Sequence, residues 1–245
     1  MGATANFENE RQAMPDNTPQ LVWSKDRRTP ARRAPSVERI VRAALTIADT
    51  EGLEAVSMRR VATELASGTA SLYRYVAGRD ELLDLMIDAA QGEPDAPALT
   101  GDWRADLAAL AQHLRDTLLA HPWLAAELSG RPALGPNALR RYDIGLAALI
   151  PFTRDITLAT NIVDTVTSYV FGAVNHVLAE IRAQQRTGLT EDQWRATVGP
   201  YLREVIATGD YPNFARRLAD AEDITDTARF DFGLNCLLEG ISRAR

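Results

Sequence analysis

Residues 57 to 80 read Ser-Met-Arg-Arg-Val-Ala-Thr-Glu-Leu-Ala-Ser-Gly-Thr-Ala-Ser-Leu-Tyr-Arg-Tyr-Val-Ala-Gly-Arg-Asp. Apolar side chains recur with helical spacing from Met58 to Leu65, which predicts a helix with one buried face. Ser57 is a good N-cap for it, because its hydroxyl accepts a hydrogen bond from a backbone N–H that the first turn leaves unpaired. Ala66-Ser67-Gly68 then interrupts the pattern, and glycine turns the backbone without the penalty of a Cβ atom. The stretch is therefore expected to form two short helices around a tight turn.

The second helix of this pair has an outer face that suits DNA. Leu72, Tyr75 and Val76 lie at i, i+3 and i+4 and can face inward, while Thr69 or Ser71 can cap the helix start. The remaining face is short, rich in hydroxyls and carries one arginine; it comprises Thr69, Ala70, Ser71, Tyr73 and Arg74. Small residues let a helix enter a major groove closely, and hydroxyl and guanidinium groups bind phosphates or base edges. From spacing alone, an ordinary helical hairpin with a solvated second helix explains the pattern equally well.

The charge distribution separates these two interpretations. The 245 residues carry a net charge of −6, which at first argues against nucleic acid. Residues 25 to 79, however, contain eleven basic and six acidic side chains, a local net charge of +5 that leaves −11 on the remainder. A basic segment on an acidic chain favours DNA binding, because phosphate contacts supply most of the affinity that does not depend on base sequence.

Five motifs between residues 36 and 92 occur in the order and spacing of a known family. They are Ile40-Val41-Arg42-Ala43-Ala44-Leu45, Glu51-Gly52-Leu53, Ser57-Met58-Arg59-Arg60-Val61-Ala62, Ser71-Leu72-Tyr73-Arg74-Tyr75-Val76 and Arg79-Asp80-Glu81-Leu82-Leu83. This run resembles the DNA-binding domain of the TetR (tetracycline-repressor-like) family of bacterial transcriptional regulators. Two positions differ from the family pattern. Ala66-Ser67 stands where a Gly-Val pair is usual, and Arg79 replaces the usual lysine while keeping its charge.

The resemblance implies an all-α fold, in which an N-terminal helix-turn-helix three-helix domain precedes a larger C-terminal helical domain for ligand binding and dimerisation. It also implies a homodimer on a palindromic operator of double-stranded DNA, with the two final long helices paired with their copies. Together with the outer face described above, it gives a predicted DNA-binding set of Ser57, Met58, Arg59, Thr69, Ala70, Ser71, Tyr73, Arg74, Tyr75 and Arg79.

Composition indicates a soluble globular protein, with 46% hydrophobic and 24% charged residues. We find no run of 18 apolar residues that predicts a membrane span, and the N-terminus lacks the pattern of a secretory signal. We therefore expect a cytoplasmic protein without a membrane partner. The single cysteine, Cys236, excludes a disulfide framework within the chain.

The chain divides into three predicted segments around a break at Gly92-Glu93-Pro94-Asp95-Ala96-Pro97. The segments are a disordered basic arm at 1–35, a helix-turn-helix DNA-binding domain at 36–92 and a ligand-binding and dimerisation domain at 98–245. Within the arm, Arg27-Arg28 and Arg32-Arg33 either reach along the DNA or belong to a solvated tail.

The longest predicted helix runs from Asp155 to about Gln185, and one of its faces is polar but uncharged. This polar strip consists of Asn161, Thr165, Ser168, Gly172 and Asn175. Solvated helix faces normally carry lysine, glutamate and arginine, so the strip is expected to point inward. A pocket lining, a small-residue seam between closely packed helices and a plain exposed face are the three alternatives.

The predicted ligand-binding set combines this strip with histidines and with aromatic side chains that can wall an apolar cavity. It comprises His113, Trp123, Tyr142, Asn161, Thr165, Ser168, Tyr169, Asn175 and His176. The alternative is that the histidines and aromatic residues fill the core. The three histidines share no metal-ligand spacing, and we find no phosphate-binding glycine loop, nucleophile elbow or paired carboxylates. No metal, cofactor or catalytic residue is therefore predicted.

The sequence thus predicts a ligand-responsive transcriptional regulator, a repressor that a largely apolar or antibiotic-like small molecule releases from its operator. Two other hypotheses stay open. One is a helical enzyme or small-molecule carrier that uses a cavity in the C-terminal domain, and the other is a DNA-binding dimer that has no effector.

Overall fold

The computed structural model describes residues 22–24, 36–128 and 134–243. Over these ranges the chain forms α-helices, short 3₁₀ turns and loops without any β-strand, and the predicted all-α fold is confirmed. The helices are α1 (Val37–Glu51), α2 (Met58–Glu64), α3 (Thr69–Leu72), α4 (Arg79–Gln91), α5 (Trp103–Ala120), α6 (Leu124–Glu127), α7 (Pro136–Ala148), α8 (Ile156–Thr187), α9 (Glu191–Ala207), α10 (Pro212–Asp220) and α11 (Asp226–Ser242). We call residues 36–91, with α1 to α4, the head and residues 103–243, with α5 to α11, the body.

The head packs α1 against α2 and α4, and α2 against α3, over one apolar core. Its fully buried side chains include Ile40, Val61, Leu72, Leu82 and Met86. The predicted cap of α2 is present, since Ser57 Oγ accepts a hydrogen bond from the Arg60 N–H over 3.1 Å. The four helices thus hold each other at fixed angles.

The turn between α2 and α3 is made by Ala66, at the position where the chain departs from the family pattern. Ala66 has a φ of 48°, in the left-handed region that costs a residue with a Cβ atom about 1–2 kcal/mol. Alanine therefore bears strain at a place where glycine would bear none.

The start of α3 differs from the prediction. Gly68 is the N-cap and offers no side chain, so the expectation that Thr69 or Ser71 caps α3 is wrong. Ser71 Oγ instead donates to the Gly68 carbonyl over 2.6 Å and lies 2.6 Å from Ser67 Oγ. These hydroxyls stabilise the turn itself.

The body is organised around α8, whose apolar stripe faces α5, α7 and α11. The buried residues of this stripe are Ala159, Ile162, Val163, Val166, Val170, Val174 and Leu178. Asp155 caps the helix by accepting hydrogen bonds from the Thr157 and Leu158 N–H groups. The 32 residues of α8 span the body and place one long face toward solvent.

By length and composition alone, α8 is apolar enough to cross a membrane, with a mean hydropathy of 1.2 over 18 residues. The helix contains no unbroken run of 18 apolar residues, because polar side chains such as Asn161, Asp164 and Ser168 interrupt it. The test is weak evidence for a span, because a core helix of a soluble protein passes it as well, and the apolar stripe of α8 is buried in the body.

Part of the predicted disordered arm is folded. Val22–Ser24 form one 3₁₀ turn that packs on α4, and Val22 is buried in the core. These three residues are the part of the predicted arm that the structure describes, and the disorder of the rest stays a prediction. The arginine pairs at 27–28 and 32–33 lie outside the described residues.

Candidate functional site

The predicted DNA-binding surface is the outer side of α2 and α3. Leu72 is fully buried and anchors α3, whereas the adjacent Tyr73 is 53% exposed. A four-residue helix is far too short to be stable alone, so α3 depends on α2 and on the core beneath it for its orientation. The packing of Leu72 thus fixes the backbone from which the exposed side chains of this turn project.

Nine of the ten predicted DNA-binding residues keep surface exposure. Six of them are exposed, namely Ser57, Arg59, Ala70, Tyr73, Arg74 and Arg79, and three are half-buried, namely Thr69, Ser71 and Tyr75. Met58 differs, because its side chain is 6% exposed and begins the buried face of α2. A direct contact between the Met58 side chain and DNA is therefore excluded in this conformation.

Arg79 has a structural role besides the predicted phosphate contact. Its Nε donates to the Val56 carbonyl over 3.2 Å and one Nη reaches the Leu53 carbonyl at 3.5 Å. These contacts tie the start of α4 to the loop before α2. A guanidinium has five N–H donors, so three are left for a phosphate.

An ion-pair cluster that the sequence analysis did not identify fixes α2 on α1. The guanidinium of Arg60 lies 2.6 Å from a carboxylate oxygen of Glu51 and 2.8 Å from one of Glu64. The hydrogen bond from Arg60 lowers the pKa of the Glu51 carboxyl below its ordinary value. Arg60 is therefore occupied within the head and orients α2 rather than offering its charge freely.

The head and the body meet at Asp88, a buried carboxylate on α4. Asp88 Oδ1 accepts hydrogen bonds from the backbone N–H groups of Asn137 at 2.9 Å and Ala138 at 3.1 Å. These groups belong to the first turn of α7, whose own N-cap, Gly135, has no side chain. Burial raises the pKa of the Asp88 carboxyl, and the hydrogen bonds from α7 oppose that rise. A head residue thus caps a body helix.

A second junction involves one of the predicted ligand-binding residues. The Trp123 indole N–H donates to Asp49 Oδ1 over 2.8 Å, and His121 Nδ1 lies 2.9 Å from the same oxygen. Asp49 is on α1, and Trp123 is only 8% exposed. Trp123 therefore joins head to body and does not line the cavities described next.

Two adjoining cavities lie in the body beside α4. The larger, of about 550 Å³, is partly open to solvent and is lined by residues of α4, α7 and α8, with apolar side chains such as Leu128, Leu139 and Phe171, of which Leu139 is itself exposed. The smaller, of about 40 Å³, lies between α5, α7 and α8. Arg141 and Thr167 line both cavities and so mark the place where they meet.

The predicted ligand-binding residues are divided among several places. Tyr142 lines the larger cavity, and His113 lines the smaller one while its Nε2 donates to the Pro94 carbonyl over 2.9 Å. A third cavity of about 310 Å³, between α8 and α11, is lined by Ser168, Tyr169 and His176. The structure therefore does not bring the predicted set together into one pocket.

The polar strip of α8 lies on the surface of the single chain. All five of its residues, Asn161, Thr165, Ser168, Gly172 and Asn175, are exposed. Asn161, Thr165 and Asn175 line none of the three cavities, and Thr165 Oγ1 donates to the Asn161 carbonyl of its own helix over 2.6 Å. The strip thus faces outward, and only a second molecule can bury it.

Sequence reasoning missed Asp88, Gln91 and Arg141, which join α4 to α7. Arg141 Nε donates to Gln91 Oε1 at 3.4 Å, next to the Asp88 cap. The sequence does contain a signal for the two head residues. Asp88 and Gln91 lie three and six positions after Leu85, a spacing that places all three on the buried face of α4. Their partners lie about 50 positions away, and no local pattern identifies them.

Comparisons with known proteins agree with this architecture. Residues 93–245 match the family described as tetracyclin repressor-like, C-terminal domain, and residues 40–86 match the bacterial regulatory proteins, tetR family. Over 229 residues the chain is 42% identical to the HTH-type transcriptional repressor DrrR1 of Streptomyces coeruleorubidus, covering 91% of this chain and 84% of that protein.

Another relative and one solved structure extend the likeness. An HTH-type transcriptional regulator of Saccharopolyspora erythraea is 35% identical over 232 residues, which cover 93% of each chain. The crystal structure of the TetR family protein ActR from Streptomyces coelicolor in complex with actinorhodin aligns with a TM-score of 0.71 and 31% identity. That alignment covers 85% of this chain and 96% of ActR.

Proposed function

Because the chain belongs to the TetR family of bacterial transcriptional regulators, we propose that it is a repressor that binds a palindromic operator as a homodimer and leaves it when a small molecule occupies the body. Because members of this family are DNA-binding regulators and not enzymes, family membership excludes the enzyme hypothesis. Since operator DNA lies in the bacterial cytoplasm, the cytoplasm is its place of action.

The observation that carries the proposal is the exposed Tyr73-Arg74 pair in the turn that directly follows the anchored α3. Leu72, the residue before the pair, is fully buried, so the pair leaves the head from a fixed point. Tyr73 and Arg74 can bind phosphates or guanine edges, and Ala70 is small enough to let α3 enter the groove. The surrounding basic segment supplies attraction to phosphate.

The dimer surface in this proposal combines α8 and α11, which pack against each other; α8 takes the place of α9, the other of the two final long helices, in this surface. The uncharged polar strip of α8 is exposed along its length, and Phe232 of α11 is 69% exposed. Small uncharged residues permit two helices to approach closely, and an exposed phenylalanine favours burial. A second copy of the chain covers both.

Release in this proposal passes through α4. A compound in the larger cavity touches Gln91 of α4 and Tyr142 of α7, and the Asp88 carboxylate caps that same α7. Moving α7 therefore moves the head. The ActR structure contains actinorhodin. This supports the proposal that a small molecule also binds the body of the present chain. A ligand shifts the equilibrium only as far as it binds the released conformation more tightly.

Selection of bound fragments from a random DNA library tests the proposal. We expect an inverted repeat whose half-site centres are about one helical turn, roughly 34–36 Å, or a multiple of it apart. Affinity for that repeat should fall steeply as salt rises, because phosphate contacts release counterions. Recovery of no repeat, or an affinity that salt does not change, contradicts the proposal.

A further inference from the structure

The larger cavity contains a positive charge without an anionic partner. Arg141 projects from α7 to the boundary of the two cavities, and its side chain is half-buried. Among the residues that the structure describes, its side chain donates one hydrogen bond, to the neutral amide of Gln91 at 3.4 Å. Over residues 36–128 and 134–243, no carboxylate forms an ion pair with it. Burial lowers the pKa of the Arg141 guanidinium, which still remains charged at neutral pH.

The surroundings of Arg141 are mostly apolar. Leu128, Leu139 and Phe171 line the same cavity, and on the side of the smaller cavity lie Leu110 and Val166. A half-buried cation in such surroundings has lost part of its water without forming an ion pair, which is unfavourable. An anion that enters the cavity supplies the missing counter-charge and offsets the lost hydration of Arg141. A guanidinium pairs with a carboxylate through two parallel hydrogen bonds.

The other charged group of the cavity fixes the direction of such a ligand. Asp164 lies on the exposed side of α8, where its Oδ1 accepts a hydrogen bond from the Tyr142 hydroxyl at 3.4 Å. This carboxylate repels an acid and accepts hydrogen bonds from hydroxyl groups. An acidic ligand therefore places its anion at Arg141 and its neutral part toward Asp164.

We propose that the effector is an aromatic acid, whose carboxylate or ionised phenol pairs with Arg141 while its rings fill the apolar part of the 550 Å³ cavity. This inference rests on the proposed function, because it names the ligand class of the same regulatory cavity. The volume suits a ligand of drug size. Pairing with an anion competes with the Arg141 hydrogen bond to Gln91, so the acid acts on a contact between body and head.

Matched pairs of aromatic acids and their amides test the charge alone. The probes are benzoate and benzamide, naphthalene-2-carboxylate and its carboxamide, and anthracene-2-carboxylate and its carboxamide, with affinities from fluorescence titration and thermal melting at neutral pH. For the pair that fits best, we expect the acid to bind about tenfold or more tightly than the amide. In Arg141→Met this preference should vanish while amide binding persists, and in Arg141→Lys part of it should remain.

Arg140→Met is the matched control, since Arg140 is the exposed neighbour on the same helix and its loss changes the net charge equally. The control should keep the preference for acids. Equal binding of acid and amide in every pair, including no binding by either member, contradicts the inference, as does a preference that survives in Arg141→Met.

Operator binding is measured on the same preparations without ligand. A chain that binds its operator but prefers no acid refutes this inference alone, whereas one that prefers acids but binds no inverted repeat refutes the proposed function.

Discussion

The head and the cavity of the body present the side chains proposed to bind DNA and ligand in opposite ways. The head exposes Tyr73 and Arg74, two consecutive residues that follow a buried leucine. The cavity is lined by residues far apart in the chain, among them Gln91, Arg141 and Phe171 on three different helices. One surface is made by a local motif and the other by tertiary packing, so a mutation in the head removes a contact, whereas one in the body also changes the shape of the site.

The two regions share α4, and the regulatory account depends on this helix. Asp88 and Gln91 lie in its last turns, where they contact α7, while its first turns pack on α1 of the head. Because α4 packs on both α1 and α7, the proposal expects a shift of α7 to move the head as well. Substitutions in the dimer surface, in the head and at the junction of α4 with α7 therefore test the role of each region separately.

The largest effect is expected from Gly172→Arg, on the polar strip of α8. Gly172 is exposed and a Cβ atom there meets nothing within 4 Å, so we expect a single chain to accept the substitution and a partner chain to be displaced by it. We expect a monomer in analytical ultracentrifugation and an operator affinity lower by about 100-fold or more, because the two heads are no longer linked.

Gly199→Arg provides the control for that experiment. Gly199 on α9 also has open space around its Cβ position, and the substitution adds the same charge outside the α8–α11 surface. It should leave a dimer of normal operator affinity. A dimeric Gly172→Arg chain would mean that the polar strip is a plain exposed face.

The next largest effect concerns the head. Tyr73→Ala and Arg74→Ala should each weaken operator binding about tenfold to 100-fold, because each removes one contact of about 1–3 kcal/mol. The melting temperature should hardly change, since both side chains are exposed. Arg203→Ala, at an exposed arginine of α9, removes the same charge and should bind the operator normally in a fluorescence anisotropy titration. Unchanged affinity in both head variants would mean that DNA binds elsewhere.

How much the sequence reveals also differs between the two regions. The cap at Ser57, the break at Ala66 and the anchor Leu72 lie within 16 positions of each other, and local rules of helix formation predict them. The cavity depends on which helices pack together, and the spacing of apolar residues does not fix that. Trp123 and the polar strip illustrate the limit, because their residue types suit a pocket while their partners are Asp49 and solvent.

The junction is tested by Gly135→Ala. A Cβ atom at Gly135 overlaps the carboxylate of Asp88, so the substitution should push α4 away from α7 and lower the free energy of unfolding by about 1–3 kcal/mol. Urea denaturation at one fixed protein concentration measures the effect. Gly199→Ala, where a Cβ atom meets nothing, should instead stabilise α9 by about 0.5–1 kcal/mol. Equal stability of Gly135→Ala and the natural chain would show that the Asp88 cap is dispensable.

The smallest effect is expected at the turn of the head. Ala66→Gly should raise the free energy of unfolding by about 0.5–1 kcal/mol, because glycine relieves the left-handed strain at a smaller entropic cost. Ala196→Gly, at an exposed position inside α9, should lower it by about 1 kcal/mol. If both glycine variants lose stability equally, Ala66 is not strained.

The central claim is that the cavity and the head are coupled through α4. The most direct test measures operator affinity with and without a saturating compound that raises the melting temperature of the free protein. The account predicts that the compound weakens operator binding, and that the operator weakens binding of the compound by the same factor, since coupling between two sites is reciprocal. An operator affinity that stays unchanged while the cavity is saturated would contradict it.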